Sequence, residues 1–321
     1  MISTQLKIIF VDVPKTGSTS IKTLLIRGFN KFIWQNVANN NWINKACPSH
    51  AGYTLNQDGS ISPQSSSRHE PLLSKYMMVG GMDTYFIFAV VRNPFDRFKS
   101  TFIEELLYNK YKFKNLSLNS SLTSNNRSLV DPWFITGHEH LSLQQKNSVE
   151  LQAELLIDKL KILRDKGGFE QLGVCETPIH LWPQHYFTSL TTPQPLNYRI
   201  LKYEYLKKDI PILKNELSRW SGVDINNQEL PHIDPTANFI FSQNNSPAID
   251  TMGFIYPSER EIRPGTPDFN FIAQYPTFPD FLTHFKTEKE EIKAIFDPFL
   301  EDHRGLIEDL YRKDYQLFEY V

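Results

Sequence analysis

A hydrophobic strand, a turn of small residues and a helix follow one another near the start of the chain, and this unit constrains the fold most. The hydrophobic run Leu6–Val11 predicts a strand, and apolar residues then recur at helical spacing from about Ser18 to Arg27. Gly28 is placed to end this helix as its C′ residue. A strand, a small-residue turn and a helix in this order form the local architecture that binds phosphate groups.

The turn itself indicates an anion site. The P-loop pattern Gly-x-x-x-x-Gly-Lys-Ser/Thr is absent, because here Lys15 precedes the glycine. Gly17 allows close approach of the main chain, and the hydroxyls of Thr16, Ser18 and Thr19 add donors to the N–H groups of the helix start. Lys15 adds a mobile positive charge. The same residues also fit an ordinary helix start with a Ser/Thr cap and a solvated lysine.

A second unit carries positive charge at a similar position. The continuous apolar run Thr84–Val91 is typical of a buried parallel strand, and Arg92 follows it at the edge where open α/β sheets bind ligands. Asn93 suits a helix N-cap and Pro94 the first helical position, with Ser100 two turns further on. The two units together could hold a ligand with two anionic groups. Taken alone, the stretch RNPFDRF also fits an Arg–Asp surface pair on a capped helix.

The pattern along the chain predicts an α/β protein. A third strand is expected at Tyr198–Glu204. We predict a P-loop-like single domain over residues 1–321, with a central parallel β-sheet flanked by helices. The Ser/Asn-rich segment 113–130 is expected to be a mobile loop, and 224–282 to consist of long irregular loops.

Composition argues against several other classes of protein. The formal net charge is −2, so no global basic field indicates nucleic acid or an acidic membrane. Cys47 and Cys175 lack CxxC partners, and neither a disulfide framework nor a structural zinc is expected. No signal-peptide pattern and no run of 18 apolar residues is present, so we expect a cytoplasmic protein without a transmembrane segment.

Several motifs together resemble the carbohydrate sulfotransferases that use 3′-phosphoadenosine 5′-phosphosulfate (PAPS), the type that includes heparan sulfate 2-O- and chondroitin 4-O-sulfotransferases. VPKTGSTSI resembles their 5′-phosphosulfate loop, and FAVVRNPFDRFKSTF resembles their 3′-phosphate motif. Four further stretches fit that type and fall in the expected order: SRHEPL, HLWPQHYF, ILKYEYL and LYRKDYQLFEY. The resemblance therefore spans nearly the whole chain and implies the sulfotransferase fold.

The resemblance also implies roles for particular residues. The residues implied to bind the nucleotide are Lys15, Thr16, Gly17, Ser18, Thr19, Arg92 and Ser100. Of these, Arg92 and Ser100 are implied to bind its 3′-phosphate. Lys15 is expected to neutralise charge on the bridging oxygen of the leaving phosphate. His69 is the implied base for an acceptor hydroxyl, with the adjacent Glu70 as the second candidate. No metal is expected, since no magnesium need be coordinated.

Two other functions remain as alternatives at this point. A P-loop-like nucleotide kinase would require magnesium and ATP, and the order Lys-Thr-Gly-Ser-Thr argues against it. A non-catalytic nucleotide-binding relative is disfavoured because Lys15, Arg92, Ser100 and His69 are all present. Members of the resembled type usually sit in the Golgi behind a membrane anchor, whereas neither an anchor nor a secretory signal is expected from this sequence. We therefore expect a bacterial-like soluble enzyme whose acceptor is a carbohydrate, a glycolipid or a small hydroxylated metabolite.

Overall fold

The computed structural model describes residues 2–29, 53–55, 61–63, 82–118, 142, 145, 148–169, 179–188, 197–230 and 278–320. The strands in this part of the chain are β1 (Ile2–Ser3), β2 (Ile8–Val11), β3 (Tyr53–Leu55), β4 (Ile61–Pro63), β5 (Phe86–Val91) and β6 (Tyr198–Lys202). The helices are α1 (Ser18–Gly28), α2 (Pro94–Leu118), α3 (Val149–Asp165), α4 (Gln184–Thr188), α5 (Leu206–Ser221), α6 (Phe278–Asp302), α7 (Arg304–Leu310) and α8 (Arg312–Leu317).

The main sheet has four strands in the order β1-β2-β5-β6. β2 pairs in parallel with β5, and β5 pairs in parallel with β6, whereas the short β1 is antiparallel to β2. β3 and β4 form a separate antiparallel pair. The predicted α/β class with a mostly parallel sheet is confirmed, and β1 is an edge strand that the sequence pattern did not indicate.

The central strands are apolar throughout because both of their faces are covered. Every residue of β2 and β5 is buried, as expected for strands in a parallel sheet with helices on its faces. Phe10 and Phe88 lie on these two strands with their ring centroids 5.0 Å apart. Leu24 and Leu25 of α1 are fully buried, and each such side chain contributes about 2 kcal/mol to folding.

The start of α2 confirms the predicted cap. The side-chain Oδ1 of Asn93 accepts hydrogen bonds from the main-chain N–H groups of Phe95, at 3.0 Å, and Asp96, at 3.3 Å. Pro94 is the first helical residue, where its missing N–H leaves no donor unsatisfied. The position of Arg92 is therefore fixed by a strand end on one side and a capped helix on the other.

Gly28 has a different role from the one predicted. α1 includes Gly28, and Phe29 is the C-cap, so the glycine is not a C′ residue. A Cβ atom at Gly28 would lie 2.8 Å from Cγ2 of Ile225, closer than side-chain carbons approach. The chain requires glycine here because of packing against Ile225.

Both predicted loop segments are shorter than expected at the ends that the structure describes. α2 continues to Leu118, so residues 113–118 are helical, because Lys114, Leu116 and Leu118 are good helix formers. α6 begins at Phe278, so residues 278–282 are helical as well. Residues 224–230 are irregular, as predicted, and the rest of the two segments, 119–130 and 231–277, lies outside the described residues.

The chain divides into two compact units. The first comprises Met1–Phe98, Gly167–Ile233 and Glu308–Val321, and it contains the four-stranded sheet. The second comprises Lys99–Lys166 and Asp234–Ile307. In the second unit, Phe102 of α2 and Phe296 of α6 meet edge to face with centroids 5.4 Å apart. The single domain over 1–321 stays a prediction.

None of the helices in the described part of the chain is both long enough and apolar enough to cross a membrane.

Candidate functional site

Three turns meet at one edge of the sheet. β2, β5 and β6 are parallel neighbours, so their carboxyl ends lie at the same edge. The segment that follows β2 contains Lys15 and Gly17, and the residue that follows β5 is Arg92. β6 ends at Lys202, and the expected strand residues Tyr203 and Glu204 instead belong to a 3-10 turn. The segments that follow β2 and β5 in the two predicted nucleotide motifs are thereby brought to the same edge.

The main chain after β2 has a geometry that suits an anion at the start of α1. Lys15 and Gly17 both have left-handed conformations, with φ of 64° and 77°. Gly17 is the N-cap of α1, so no side chain caps the helix, and its first turn has no acidic residue. The Ser/Thr cap considered as an alternative is therefore not formed. Without a competing cap or carboxylate, the N–H groups and the helix dipole favour an anionic ligand.

Thr16 contributes to the shape of the turn through its hydroxyl. Its Oγ1 donates to the main-chain oxygen of Val13 at 3.0 Å, and the residue is fully buried. The hydroxyl therefore closes the turn internally, which leaves the main-chain N–H of Thr16 as its means of contacting an anion. Ser18 is also buried, whereas Thr19 is half-buried.

A partly buried ion pair supports the turn. Asp12, the first residue after β2, is 1% exposed, and its Oδ2 accepts from Nζ of Lys22 at 2.6 Å. Lys22 lies on α1, so the pair joins the strand end to the helix that follows the turn. The lysine also offsets the negative charge of Asp12, which would otherwise oppose an anionic ligand nearby.

The ring of Tyr203 connects the two nucleotide motifs. A Cβ atom at Gly17 would lie 2.9 Å from Cε2 of Tyr203, so the glycine and the ring are in close contact. The guanidinium carbon of Arg92 lies 4.7 Å from the centroid of the same ring, a cation–π contact. Tyr203 is 36% exposed, and its ring contacts both Gly17 and Arg92.

We expect Gly17→Ala to weaken nucleotide binding by about tenfold and to lower stability by about 1 kcal/mol. The stability loss comes from placing a Cβ at a positive φ, and the affinity loss comes from displacement of Tyr203 and hence of Arg92. Isothermal titration with a nucleotide and chemical denaturation measure the two effects. Gly222→Ala is the matched control: its φ is 74° and no described atom lies within 4 Å of its would-be Cβ. It should lower stability similarly and leave affinity unchanged; equal affinity losses in both variants would contradict the role of Tyr203.

The main chain of Arg92 and Asn93 is held by two side chains. Arg92 exchanges two hydrogen bonds with the amide of Gln184: its N–H donates to Oε1 at 2.8 Å, and its carbonyl accepts from Nε2 at 2.7 Å. The N–H of Asn93 donates to Oε1 of Glu204 at 2.8 Å. The other carboxylate oxygen of Glu204, Oε2, accepts from the hydroxyl of Tyr320 at 2.9 Å. Burial, followed by the nearby carboxylate, raises the pKa of Tyr320, so this donor keeps its proton.

Arg97 is a structural residue whose role the sequence pattern did not indicate. The alternative of an Arg–Asp surface pair in RNPFDRF does not apply to this arginine, because it is fully buried. Its guanidinium donates to the main-chain oxygens of His180, at 3.1 Å, and Trp182, at 2.7 Å. Burial lowers the pKa of Arg97, and this effect is partly offset by Asp314. The arginine joins the start of α2 to the segment that precedes α4.

Removal of this buried guanidinium should be costly. We expect Arg97→Met to lower the free energy of unfolding by about 3 kcal/mol, because two carbonyls lose their charged donor and a buried carboxylate loses a nearby positive charge. Urea denaturation measures the change. Arg219→Met, at an exposed position of α5, is the control and should stay within about 0.5 kcal/mol of the parent. Equal changes in the free energy of unfolding of the two variants would contradict a structural role for Arg97.

Asp314 fixes the start of α4 from near the end of the chain. This carboxylate is fully buried and accepts from the main-chain N–H groups of Gln184, at 2.6 Å, and His185, at 2.9 Å. The ring Nδ1 of His185 lies 2.7 Å from the same carboxylate. His185 is only 4% exposed, which makes it a poor candidate for a base that must reach an acceptor. Asp314 and Gln184 were not identified as site residues from sequence.

Three further residues, Ser100, His69 and Glu70, were predicted for the site. Ser100 is half-buried on α2, two turns after Pro94, in the second compact unit. His69 and Glu70, the two candidate bases, lie outside the described residues. The described site thus contains the predicted 5′-phosphosulfate turn and Arg92, together with Tyr203, Glu204 and Gln184, which come from the weaker motifs.

Comparison with known protein families agrees with this architecture. The sequence profile of the sulfotransferase family matches residues 1–263, which is most of the chain. The protein therefore belongs to the sulfotransferase family, whose members are enzymes that depend on PAPS. Searches of curated proteins and of solved structures each found no match.

Proposed function

We propose that this sulfotransferase transfers the sulfuryl group of PAPS to a hydroxyl of a carbohydrate or glycolipid acceptor. The observation that carries the nucleotide part of this proposal is the contact of Gly17 and Arg92 with one tyrosine ring at the carboxyl edge of the sheet. A nucleotide with anionic groups at both its 5′ and 3′ positions needs two anion-binding sites close together. The uncapped start of α1 fits the first group, and a guanidinium fits the second.

Each group of residues has a role in nucleotide binding. The turn Lys15–Thr19 is proposed to hold the 5′-phosphosulfate through main-chain N–H groups, the hydroxyls of Ser18 and Thr19, and the charge of Lys15. Arg92 is proposed to bind the 3′-phosphate, since guanidinium and phosphate can pair through two parallel hydrogen bonds. Ser100 is proposed to add a hydroxyl donor to that phosphate.

Catalysis follows from positioning and charge stabilisation. The moving sulfuryl group lies in line between the attacking and leaving oxygens, much as in phosphoryl transfer. Lys15 would neutralise the charge that develops on the bridging oxygen of the leaving phosphate. His69 would accept the proton of the acceptor hydroxyl, with Glu70 as the second candidate for this role. The residues need no metal for these steps, and we propose that transfer is independent of magnesium.

The nature of the acceptor rests on the resemblance to carbohydrate sulfotransferases. Glycolipids and polysaccharide precursors are therefore the first acceptors to examine, and small hydroxylated metabolites are the second. The cytoplasmic location expected from the sequence stays a prediction.

A transfer assay tests the proposed function. Purified protein is incubated with PAPS carrying radiolabelled sulfate and, separately, with glycolipids, oligosaccharides, phenols and amines, with a chelator present. We expect label on a carbohydrate-containing acceptor. Labelling of phenols or amines alone would overturn the acceptor class. Magnesium-dependent phosphoryl transfer from ATP would indicate a kinase, and nucleotide binding without transfer to any acceptor would indicate a non-catalytic relative.

A further inference from the structure

The amide of Gln184 takes the place of a strand partner for Arg92. The parallel ladder between β5 and β6 ends with the pair Val91 and Lys202, so Arg92 is the first residue beyond it. There Oε1 and Nε2 of Gln184 bond the main-chain N–H and carbonyl of Arg92 at 2.8 and 2.7 Å. Gln184 is fully buried, so water does not compete for these two bonds. The amide thereby fixes the backbone from which the guanidinium extends.

Gln184 is itself held in place by a buried carboxylate. Its main-chain N–H donates to Oδ2 of Asp314 at 2.6 Å, and Asp314 is fully buried. The two residues are 130 positions apart in sequence, so the contact joins the C-terminal helix α8 to the segment around α4. Since the carboxylate also accepts from His185, it fixes the direction of the first turn of α4.

The side chain of Arg92 is held at its other end by Tyr203, whose ring centroid lies 4.7 Å from the guanidinium carbon. Gln184 thus fixes the main chain of the arginine and Tyr203 orients its charged group. A free arginine side chain loses considerable rotamer entropy when it binds a ligand. An arginine that is already ordered loses less, and it therefore binds its anion more tightly.

We propose that Gln184, held by Asp314, is a positioning residue that orders Arg92 for the 3′-phosphate and so sets the preference for 3′-phosphorylated nucleotides. This inference rests on the proposed function, because it takes Arg92 to be the 3′-phosphate ligand. The stretch HLWPQHYF, which contains Gln184, had no assigned role beyond its resemblance to the family.

Calorimetric titrations with two nucleotides test the inference. 3′-Phosphoadenosine 5′-phosphate (PAP) carries the 3′-phosphate, and adenosine 5′-monophosphate (AMP) lacks it. Gln184→Met keeps the length of the side chain but loses both hydrogen bonds to Arg92. We expect it to weaken PAP binding by about tenfold and AMP binding by less than about twofold. Gln152→Met, at a buried position of α3, is the matched control and should leave the ratio of the two affinities unchanged.

A double-mutant cycle shows whether Gln184 acts through Arg92. Arg92→Ala alone should weaken PAP binding by about 50-fold with little change for AMP. In that background, Gln184→Met should have less than about a twofold further effect. If Gln184→Met does not fold, Gln184→Asn serves in its place, because it keeps a neutral amide but is one methylene too short to bond both main-chain groups of Arg92. The same selective loss is expected.

The outcomes separate this inference from the proposed function. If Arg92→Ala does not weaken PAP binding selectively, the assignment of the 3′-phosphate to Arg92 is wrong, and the inference falls with it. If Arg92→Ala is selective but the Gln184 variants weaken PAP and AMP equally, or weaken neither, the inference alone is overturned. A full effect of Gln184→Met in the Arg92→Ala background also overturns it.

Discussion

Replacement of Lys15 by alanine is expected to lower kcat for sulfuryl transfer by about 10²–10³-fold, the range observed when one donor to a developing oxyanion is removed. Lys15 lies in the turn after β2. Its φ of 64° is in the left-handed region, which residues other than glycine seldom adopt. Residues in such conformations cluster at functional sites, and Lys15 lies next to the start of α1, where the anion is proposed to bind. Because the lysine acts mainly on the leaving group, the KM for PAPS should change much less than kcat.

Lys7→Ala is the matched control for Lys15→Ala. Lys7 also has a positive φ, of 56°, but it is exposed and precedes β2, so it lies at the opposite end of the strand. Its removal should leave kcat within about twofold of the parent, since surface substitutions have small effects. Lys15→Gly, which also relieves the backbone strain, should be as inactive as Lys15→Ala. Activity in either Lys15 variant close to that of Lys7→Ala would contradict the assigned role.

Replacement of His69 by alanine is expected to lower kcat by about 10²–10⁴-fold, the contribution typical of a general base. The affinity for PAP should stay within about twofold, since His69 is assigned to the acceptor hydroxyl and not to the nucleotide. A general base must be deprotonated to act, so the parent enzyme should gain activity as the pH rises across the range in which this base loses its proton, and the variant should lack this rise.

Two further variants make the test of His69 specific. His303→Ala removes a histidine of the second unit whose Nδ1 contacts the carbonyl of Phe299, and it should leave both kcat and the pH profile unchanged. Glu70→Gln should reduce kcat by much less than His69→Ala. The assignment would be refuted by a loss of PAP affinity in His69→Ala, and a larger loss of kcat in Glu70→Gln would move the base to that residue.

Features encoded in short stretches of the sequence were predictable. The runs that became β2 and β5 are apolar throughout, and this pattern is typical of parallel strands buried on both faces. The start of α2 was also predictable, because an Asn cap followed by Pro acts through its immediate neighbours. These local signals suffice to place Lys15, Gly17 and Arg92 at the carboxyl edge of the sheet.

Features that depend on distant parts of the chain were not predictable. The burial of Arg97 depends on two carbonyls more than 80 positions away, and nothing near it in the sequence indicates them. The contact of Gln184 with Asp314 joins residues 130 positions apart. Gly28 was predicted to end a helix, but glycine is needed at this position because Ile225 packs against it. In each case tertiary packing, rather than local propensity, determines the role of the residue.

The most direct test of the central claim is calorimetric titration of the protein with PAP in the presence of a chelator, with ATP and magnesium as the comparison. We expect tight binding of PAP that needs no magnesium and that Arg92→Ala weakens by about 50-fold. Absence of PAP binding, or a preference for ATP with magnesium, would contradict the assignment of this sheet edge as a PAPS site.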